Sequence, residues 1–541
     1  MAARLTLNDR YNPKREDRLC GLFYFLWLGE HGRHQPYDIS AITKADPDAG
    51  HKPDSPVWGG IGTYHHWGEP LYGYYYSDDE WVVRRHMKLL TQAGVDFLFF
   101  DTTNAVIYED NAKLVMSVLD EYRREGWNTP KVMFYTNTAS GDTAQRIYDS
   151  IYKPGFCPET WFRYEGKPVI IAKPEECSPE VREFFNIKLS QWPNEPDKRG
   201  GWPWMDFTRP QRAFDNLDGV PECINVSVAQ HPQLRFGDSV LYGEKSNCGR
   251  AFHDGANDPS PDAYKHCGNF IEQFERAIEA DVPVTLLTGW NEWIAGRWQG
   301  IPERPIMFVD CANHEYSRDI EMMRGGYGDN YYLTMCDYIR RLKGDDPMPV
   351  LENGASLTFP GYPDGNLPRD HEGYGCSFLN MSGRHCIRSV GAENNEDCVK
   401  ITVTTAHPID NAPAIEPESE LEAMLAQFDL SADRDGAFLW VFCETDGGMF
   451  RLNHTMDGGT ASVMRVTEEN ERYTFTPEGT IPCSVDGNTL TLTVPKASIG
   501  LEKALLLRVI DSRDPVEAPA DFYDHGDCLP LGRMWYGVTV K

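Results

Sequence analysis

From about residue 19 to residue 343, short apolar runs alternate with longer amphipathic segments, and no other sequence feature constrains the fold as strongly. This alternation is typical of βα units, in which helices cover a parallel sheet. The predicted strands are Gly21–Leu28, Val95–Asp101, Lys131–Asn137, Pro168–Lys173, Ile187–Trp192, Cys223–Gln230, Val282–Trp290 and Pro305–Asp310. The predicted helices are Trp81–Ala93, Asn111–Glu125, Thr143–Ile151, Ala263–Ala280 and Tyr316–Lys343.

About eight strands with interleaved helices predict an α/β fold, a (β/α)8 barrel of the TIM type with long loops in residues 1–345. An open doubly wound sheet is the alternative architecture. No GxGxxG or GxxxxGK[ST] motif follows any predicted strand, so the nucleotide-binding versions of that alternative lack their usual marker.

The sequence changes in character after residue 345. Residues 346–360 are rich in Pro, Gly and Asp and are predicted to be a linker. Residues 361–541 then carry short β-type runs separated by turn signals such as DGG and DGN, a pattern that predicts an antiparallel β-sandwich. These runs are Cys398–Ala406, Ala437–Thr445, Ala461–Val466, Tyr473–Thr476, Thr489–Val494 and Leu505–Asp511.

The chain is strongly acidic, with 82 acidic and 52 basic residues and a net charge of −30. Such a surface repels phosphate backbones and anionic lipids, so we expect a neutral substrate and neither nucleic acid nor membrane as a partner. The sequence leaves a homo-oligomer open. The 14 cysteines show no CxxC or zinc-like spacing, and the N-terminal residues contain no apolar leader, which together predict a reduced, cytoplasmic protein.

Carboxylates, amides and aromatic residues are concentrated where the predicted strands end, the place where barrel enzymes carry their reacting groups. Aromatic rings stack on sugar faces and pairs of carboxyl groups transfer the protons of glycosidic cleavage, so this composition favours a glycosidase. No metal and no cofactor is predicted. The predicted substrate-binding residues are Trp27, His65, His66, Trp67, Tyr135, Asn137, Lys173, Gln191, Trp192, Gln230, His231, Trp290, Asn291, Trp293, Glu315 and Asp319.

Two carboxylates are the predicted catalytic residues. An apolar strand (VTLLTG) leads directly to Glu292 within a Trp-Asn-Glu-Trp cluster, where partial desolvation would raise its pKa. The alternative for Glu292 is a structural ion pair with Arg297. Asp101 follows the apolar run FLFF and is expected to face the same opening; its alternative role is to cap the loop that Thr102 and Thr103 begin.

Two further segments have competing interpretations. The long loop YHHWGEPLYGYYYSDDE (residues 64–80) is expected to form a subsite wall. A zinc site from His65, His66 and Glu69 is the alternative, although adjacent histidines do not match the usual ligand spacing. In the segment from residue 311 to 332, the acidic residues either begin a helix, where its dipole favours them, or bind substrate.

The sequences LFYFLWL, HMKLLTQAGVDFLFFD and TGWNEWIAG resemble glycoside hydrolase families 71 and 99, and the resemblance covers most of residues 19–343. It implies a barrel that acts on α-linked neutral sugars. Family 99 endo-α-mannosidases carry two catalytic glutamates in Asn-Glu-Trp-His-Glu, of which the first corresponds to Glu292 and the second is replaced here by Ala295. Either another carboxyl serves as the acid, with Asp101, Glu175, Glu315 and Asp319 as candidates, or the mechanism differs.

The segment ADFYDHGDCLPLGR (residues 520–533) resembles carbohydrate-binding modules of family 9, which bind sugars through paired Trp residues. This region offers Trp440 and Trp535, and it either binds sugar or only supports the barrel. The sequence therefore predicts a glycoside hydrolase with Glu292 central to a carboxylate acid/base mechanism. Its alternatives are a carbohydrate-binding protein on a degenerate hydrolase barrel and, less favoured, a metal-dependent hydrolase or lyase.

Overall fold

The computed structural model describes residues 13–409 and 439–541. The chain divides into two compact units, of which the first contains the described residues up to Asp345 together with Glu372–Ser377. The second contains Asp346–His371 and the described residues from Phe378 onward. The first residues of the predicted run Ala437–Thr445 and most of the N-terminal segment predicted to lack a leader lie outside the described residues.

Eight parallel strands form the main sheet of the first unit and lie side by side in chain order. Strand β8 pairs with both β7 and β1, and the antiparallel strand Ala213–Asp215 beside β7 reaches β6, where Gly200 N donates to Asp215 O at 2.7 Å. The sheet is therefore barrel-like and nearly closed. The strands are β1 Leu19–Tyr24, β2 Phe97–Thr102, β3 Lys131–Thr136, β4 Lys167–Ala172, β5 Asn186–Gln191, β6 Gly201–Pro203, β7 Pro221–Ser227 and β8 Val284–Thr288.

One predicted strand is wrong. Pro305–Asp310 does not join the sheet, because Arg304–Met307 pairs with Trp298–Ile301 in an antiparallel hairpin. The strand that completes the set of eight is instead β6, which was not predicted because its three residues, GWP, are too few to show any periodicity. The other short strands of this unit are Tyr64–His66, Arg163–Tyr164, Ala213–Asp215, Phe252–His253, Ala256–Asn257 and Ile294–Gly296.

Helices follow most of the strands, and their ends have recognisable chemical causes. In the helix Glu80–Ala93, the Asp79 side chain accepts a hydrogen bond from Val82 N, and Gly94 ends the helix in the left-handed conformation at φ 78°. The α-helices of this unit are Ile39–Ala45, Glu80–Ala93, Glu109–Arg124, Ser140–Ile147, Pro179–Phe184, Phe236–Leu241, Gly268–Ala280 and Asn330–Lys343. No helix in the described ranges is both long and apolar enough to span a membrane.

The predicted helix Tyr316–Lys343 is half wrong, because the helix begins only at Asn330. The segment from Tyr316 to Asp329 is irregular and runs through the interior, where Arg318, Asp319 and Glu321 are all buried. Buried charges are retained only with partners, so this segment is shaped by its polar contacts rather than by helix periodicity. The interpretation of its acids as residues at a helix start is therefore wrong.

Aromatic side chains fill the interior of the sheet in layers. Phe97 stacks on Phe162 with ring centroids 3.9 Å apart, and Phe99 in the next layer stacks on Phe23 at 4.8 Å. Alternate residues of a strand share a face, so Asp101 continues the face of Phe97 and Phe99 toward the carboxyl end of β2. Asp101 therefore lies above an aromatic floor.

The second unit is a large, separate and mostly antiparallel sheet. Its long strand Arg472–Asp486 pairs with Thr460–Glu469 near its start and with Thr489–Pro495 near its end, which joins the two halves of the sheet. Apolar side chains from both halves, such as Ile401 in one half and Val441 in the other, belong to one buried cluster. The remaining strands of this sheet are Val350–Leu351, Ser356–Pro360, Ile387–Asn394, Cys398–Thr405, Leu439–Thr445, Gly448–Arg451, Met456–Asp457, Ala504–Asp511, Asp527–Leu529 and Tyr536–Val540. Arg369–Gly373 and Cys376–Asn380 form a separate two-stranded sheet.

Candidate active site

The segment Trp290–Trp293 leaves the carboxyl end of β8 and is fastened to the end of β1. The Asn291 side chain makes both hydrogen bonds: its Oδ1 accepts from Phe25 N at 2.9 Å and its Nδ2 donates to Phe25 O at 3.0 Å. Asn291 is buried, so its contacts set the position of the next residue, Glu292, rather than line a cleft.

Glu292 is only 2% exposed and is held by Arg318 in a two-point ion pair. Arg318 Nε donates to Oε2 at 2.8 Å, and Nη2 donates to Oε1 at 2.5 Å. Burial raises the pKa of Glu292, and the positive charge of Arg318 opposes that rise. Arg297, the partner considered from the sequence, instead donates to the backbone carbonyls of Pro53 and Gly59.

Arg318 joins Glu292 to a second carboxylate. Its Nη2 also lies 3.1 Å from Oδ1 of Asp310, whose side chain is 38% exposed. Both carboxylates are thus within 3.1 Å of one nitrogen, which holds their contacting oxygens closer together than the roughly 6.5 Å minimum typical of inverting glycosidases. Burial lowers the pKa of His231 to about 4, and the ring Nδ1 of this residue contacts Arg318 Nη1 at 3.1 Å.

Asp101 faces the same group of charges from the end of β2 and is 6% exposed. Burial raises the pKa of this carboxyl, two hydrogen bonds from Thr103 oppose the rise, and the Asp310 charge adds to it. The positive charge of Arg318 acts in the opposite direction and lowers the pKa of Asp101. Asp101 Oδ1 accepts from Thr103 N at 3.0 Å, so the loop contact considered from the sequence is present.

An aromatic wall stands beside these carboxyl groups. Tyr64 stacks on His31 with centroids 4.4 Å apart and meets Trp27 edge-on at 5.9 Å. His31 Nε2 lies 2.9 Å from the hydroxyl of Tyr108. Burial raises the pKa of Tyr64, and the charges of Asp310 and Asp101 raise it further.

A layer of buried polar contacts supports Glu292 from behind. Asp319 accepts from the backbone N of Glu292 and, at 2.8 Å, from Trp67 Nε1, and burial raises the pKa of Asp319 to about 7. Trp67 stacks on Trp293 at 4.5 Å, and Trp293 Nε1 donates to Glu321 at 2.5 Å. The predicted substrate-binding residues Trp67, Trp293 and Asp319 are all buried, so they support the site rather than line it.

The other predicted residues divide between the interior and the edge of this end of the sheet. Tyr135, Gln191, Gln230 and Trp290 are buried, and the Tyr135 hydroxyl donates to Gln191 O at 3.1 Å.

Three predicted residues at the strand ends remain half-buried and accessible. Trp192 meets Trp204 edge-on at 5.4 Å. Asn137 accepts from Ser190 Oγ at 3.1 Å, and Lys173 lies 3.8 Å from Glu176.

His65 and His66 do not converge on a metal. His65 packs against the ring of Phe308 at 4.9 Å, whereas His66 meets Tyr374 edge-on at 4.7 Å, and Glu69 pairs with Arg324. Burial lowers the pKa of each histidine to about 3. No group of three or more His, Cys, Asp or Glu residues in the described ranges has the geometry of a metal site, so the zinc hypothesis is wrong for this part of the chain.

The remaining candidates for a second acid lie away from Arg318. Glu315 accepts from Ala251 N at 3.1 Å, and burial raises its pKa to about 7. Glu175 is exposed on the loop after β4. The structure thus brings Asp101 and Glu292 together, and it adds Asp310, Arg318 and Tyr64, which sequence reasoning did not select. Tyr64 begins the long loop and Asp310 ends the apolar run PIMFVD, so both positions carried a weak signal.

No family model matches the chain, and no curated protein sequence matches it. Among solved structures, the chain is similar to the GH99 endo-alpha-mannosidase from Bacteroides thetaiotaomicron in two structures, one of them in complex with BIS-TRIS-Propane. Identity is 15% in both, over 61% of this chain and 98% of the other, with TM-scores of 0.35 for the complex and 0.37. A glycoside hydrolase-like protein is 13% identical over 62% of this chain and 97% of its own, with a TM-score of 0.33.

Proposed function

We propose that this protein is a glycoside hydrolase that cleaves a neutral oligosaccharide or glycoside, with its site at the carboxyl ends of a (β/α)8 barrel. The observation that carries the proposal is the group of three carboxyl residues, Asp101, Asp310 and Glu292, around one buried Arg318. Glycosidic cleavage requires one carboxyl group that delivers a proton and one that carries negative charge, and unequal environments separate the two roles.

The environments of these groups suggest how the roles divide. Asp101 is buried with a raised pKa, so it is suited to hold the proton that the leaving oxygen receives. Asp310 is partly exposed and paired with Arg318, so it presents negative charge to the developing oxocarbenium ion. Glu292 holds the Arg318 guanidinium through Nε and Nη2, and Asp310 contacts the same Nη2, so Glu292 helps to position the cation that Asp310 faces.

The surroundings favour a neutral sugar. Arg318 already contacts two carboxylates, and the whole chain carries −30, so an anionic substrate would find no free positive charge at Arg318. Tyr64 is only half-buried and offers aromatic surface at this end of the sheet, which is the usual complement of a sugar face, whereas Trp27 is buried beside it.

We infer that the second unit is a β-sandwich, because both halves of its sheet share one apolar core. The guanidinium of Arg451 lies 3.3 Å from the ring centroid of Trp440, and that of Arg508 lies 4.3 Å from that of Trp535. One face of each tryptophan is therefore occupied, which favours a supporting role over sugar binding by this pair.

The test is hydrolysis of a panel of α- and β-linked oligosaccharides and glycosyl fluorides by wild type, Asp101→Asn and Glu292→Gln. On the oligosaccharides we expect each substitution to lower kcat/KM by ~10²–10⁴, as loss of an acid–base group or its support does; the fluorides should be spared in Asp101→Asn, because fluoride leaves without receiving a proton. Asp218→Asn, on an exposed turn, is the matched control and should leave activity unchanged. Full activity of folded Asp101→Asn on the oligosaccharides would contradict the proposed acid.

A carbohydrate-binding protein without activity is the second candidate, and one observation favours it: both oxygens of Glu292 are occupied by Arg318. This hypothesis expects saturable binding of an oligosaccharide in calorimetry, with no product after prolonged incubation. Product formed by wild type but not by Asp101→Asn would eliminate it.

A further inference from the structure

We propose that Trp298 is the platform of an outer sugar subsite, so that the substrate extends at least one sugar unit beyond the unit held near Asp101. This inference rests on the proposed function, because it assigns a specificity residue to the same cleft. Trp298 is 45% exposed and begins one strand of the hairpin that leaves the site. Trp298 lies outside every strand and helix predicted from the sequence.

The local backbone presents the indole as an open surface. A Cβ placed on Gly296 would lie 3.1 Å from three atoms of the Trp298 indole, so the ring rests directly on the glycine backbone. Any side chain at residue 296 would have to displace the ring. The indole is thus supported on one side by main chain while nearly half of the residue stays exposed, as a stacking platform requires.

One strand pair connects this platform to the carboxyl groups. In the antiparallel pair of Tyr64–His66 with Ile294–Gly296, Gly296 lies opposite Tyr64. Opposed residues in such a pair have Cα atoms about 4.5–5.5 Å apart. Tyr64 belongs to the aromatic wall, and the charges of Asp101 and Asp310 act on its hydroxyl. Trp298 therefore follows the cleft outward from the residues proposed to react.

Other exposed apolar side chains accompany Trp298. Ile61 is brought near it because Gly62 N donates to Arg297 O at 2.8 Å; Ile301, three residues along the same strand, belongs to the opposite face of the hairpin. In the ranges that the structure describes, nine large apolar side chains are exposed, and Val57, Ile61, Trp298 and Ile301 are four of them. Isolated exposed apolar residues are ordinary, but this concentration on the loops after the parallel strands indicates a binding surface.

A sugar fits this surface better than a protein does. Four side chains fall far short of the roughly 1,000 Å² that a stable protein interface buries. The apolar face of a pyranose matches an exposed indole, and its hydroxyl groups can remain in water.

The experiment compares two substrates with the same reacting sugar: an oligosaccharide cleaved by wild type, and the monosaccharide glycosyl fluoride of the same anomeric configuration. Fluoride is too small to reach an outer subsite. We expect Trp298→Ala to lower kcat/KM on the oligosaccharide about tenfold, as loss of one stacked ring does, and to leave the fluoride within about twofold. Trp298→Phe should recover most of the loss.

Two further variants separate the platform from general damage. Gly296→Val keeps the indole but displaces it, and it should reproduce the selective loss on the oligosaccharide. Leu217→Ala removes an exposed apolar side chain from the turn before β7 and should affect neither substrate. Equal losses on both substrates, or no loss on either, would overturn the inference while leaving the proposed function intact.

Failure of the proposed function gives a different result, because wild type would then hydrolyse neither substrate. In that case calorimetric titration of the oligosaccharide decides: binding about tenfold weaker in Trp298→Ala supports the platform, and equal or absent binding overturns it. If sedimentation shows wild type to be an oligomer that Trp298→Ala dissociates, the patch is a protein interface and the inference is wrong.

Discussion

Replacing Arg318 by Met should make the stability of the protein depend on pH in a way that identifies the charge of Glu292. Arg318 is fully buried and is the hydrogen-bonding cation of Glu292 in the described residues. Methionine keeps much of the side-chain volume, so little of the effect comes from a cavity. Removing one partner of a buried ion pair costs about 3–5 kcal/mol, because the other charge is left buried and uncompensated.

The sign of the pH dependence follows from the pKa of Glu292. Burial already raises this pKa in the folded protein, and loss of the opposing Arg318 charge raises it further. A folded state that keeps a proton which the unfolded state has released loses stability as pH rises above the unfolded value of about 4.3. Relative to wild type, the free energy of unfolding of Arg318→Met should therefore fall by up to about 1.4 kcal/mol per pH unit, over the pH range between the folded-state pKa of Glu292 in wild type and its higher pKa in the variant.

Urea unfolding of wild type, Arg318→Met, Glu292→Gln and the double variant, each at pH 5 and pH 7, measures this directly. We expect a deficit of about 3–5 kcal/mol for Arg318→Met at pH 7 and a markedly smaller one at pH 5. Glu292→Gln in the same chain should remove most of the pH dependence. A deficit equal at both pH values, or unchanged in the double variant, would refute the role assigned to the Glu292 charge.

Two predictions concern the second unit. Arg451 is 2% exposed, and burial lowers its pKa to about 9. Its Nε and Nη2 atoms have no hydrogen-bond partner among residues 13–409 and 439–541. Arg451→Met should therefore match or exceed wild-type stability, and a lower Tm would contradict this. Asp446 Oδ2 accepts from the backbone N of Lys503 at 2.8 Å and of two neighbouring residues, which lowers its pKa. The contribution of these hydrogen bonds to stability is fully present above the unfolded-state pKa of about 3.9 and is lost as pH falls through the lower folded-state pKa. The loss of unfolding free energy in Asp446→Ala, measured by urea unfolding, should therefore shrink below pH ~4. A loss that stays constant from pH ~7 to pH ~3 would count against this prediction.

The long strands were predictable because both faces of a parallel sheet are covered. Complete burial produces continuous apolar runs, and Lys131–Asn137 was placed within one residue of the observed Lys131–Thr136. Strand β6 was not predicted, because three residues are too few to show the alternation of apolar and polar side chains. The run Pro305–Asp310 was wrongly predicted as a strand of the main sheet because it is apolar. Ile306 and Phe308 are indeed buried, but this segment pairs with Trp298–Ile301 in a hairpin instead.

The candidate site was predictable only where a reacting group directly ends a strand. Asp101 and Glu292 follow buried strands, so their approximate location came from the barrel geometry. Arg318 could not be found in this way, because its contact with Glu292 joins an irregular segment that the apolar pattern marked as helix. The sequence neighbour Arg297 was the natural partner to consider, yet the tertiary fold directs it to backbone carbonyls.

Ala295 also explains why the second carboxyl must come from another element. It is buried in the short strand Ile294–Gly296 opposite His65, a histidine that packs against the Phe308 ring. A glutamate at this position would have to bury its charge beside these neighbours, at a cost of several kcal/mol. Asp101 on β2 and Asp310 after the hairpin already face Arg318, so a carboxyl pair exists here without a second glutamate in the Trp-Asn-Glu-Trp segment. If the chain is a hydrolase, its acid and its charged partner are therefore supplied by separate elements and joined by one arginine.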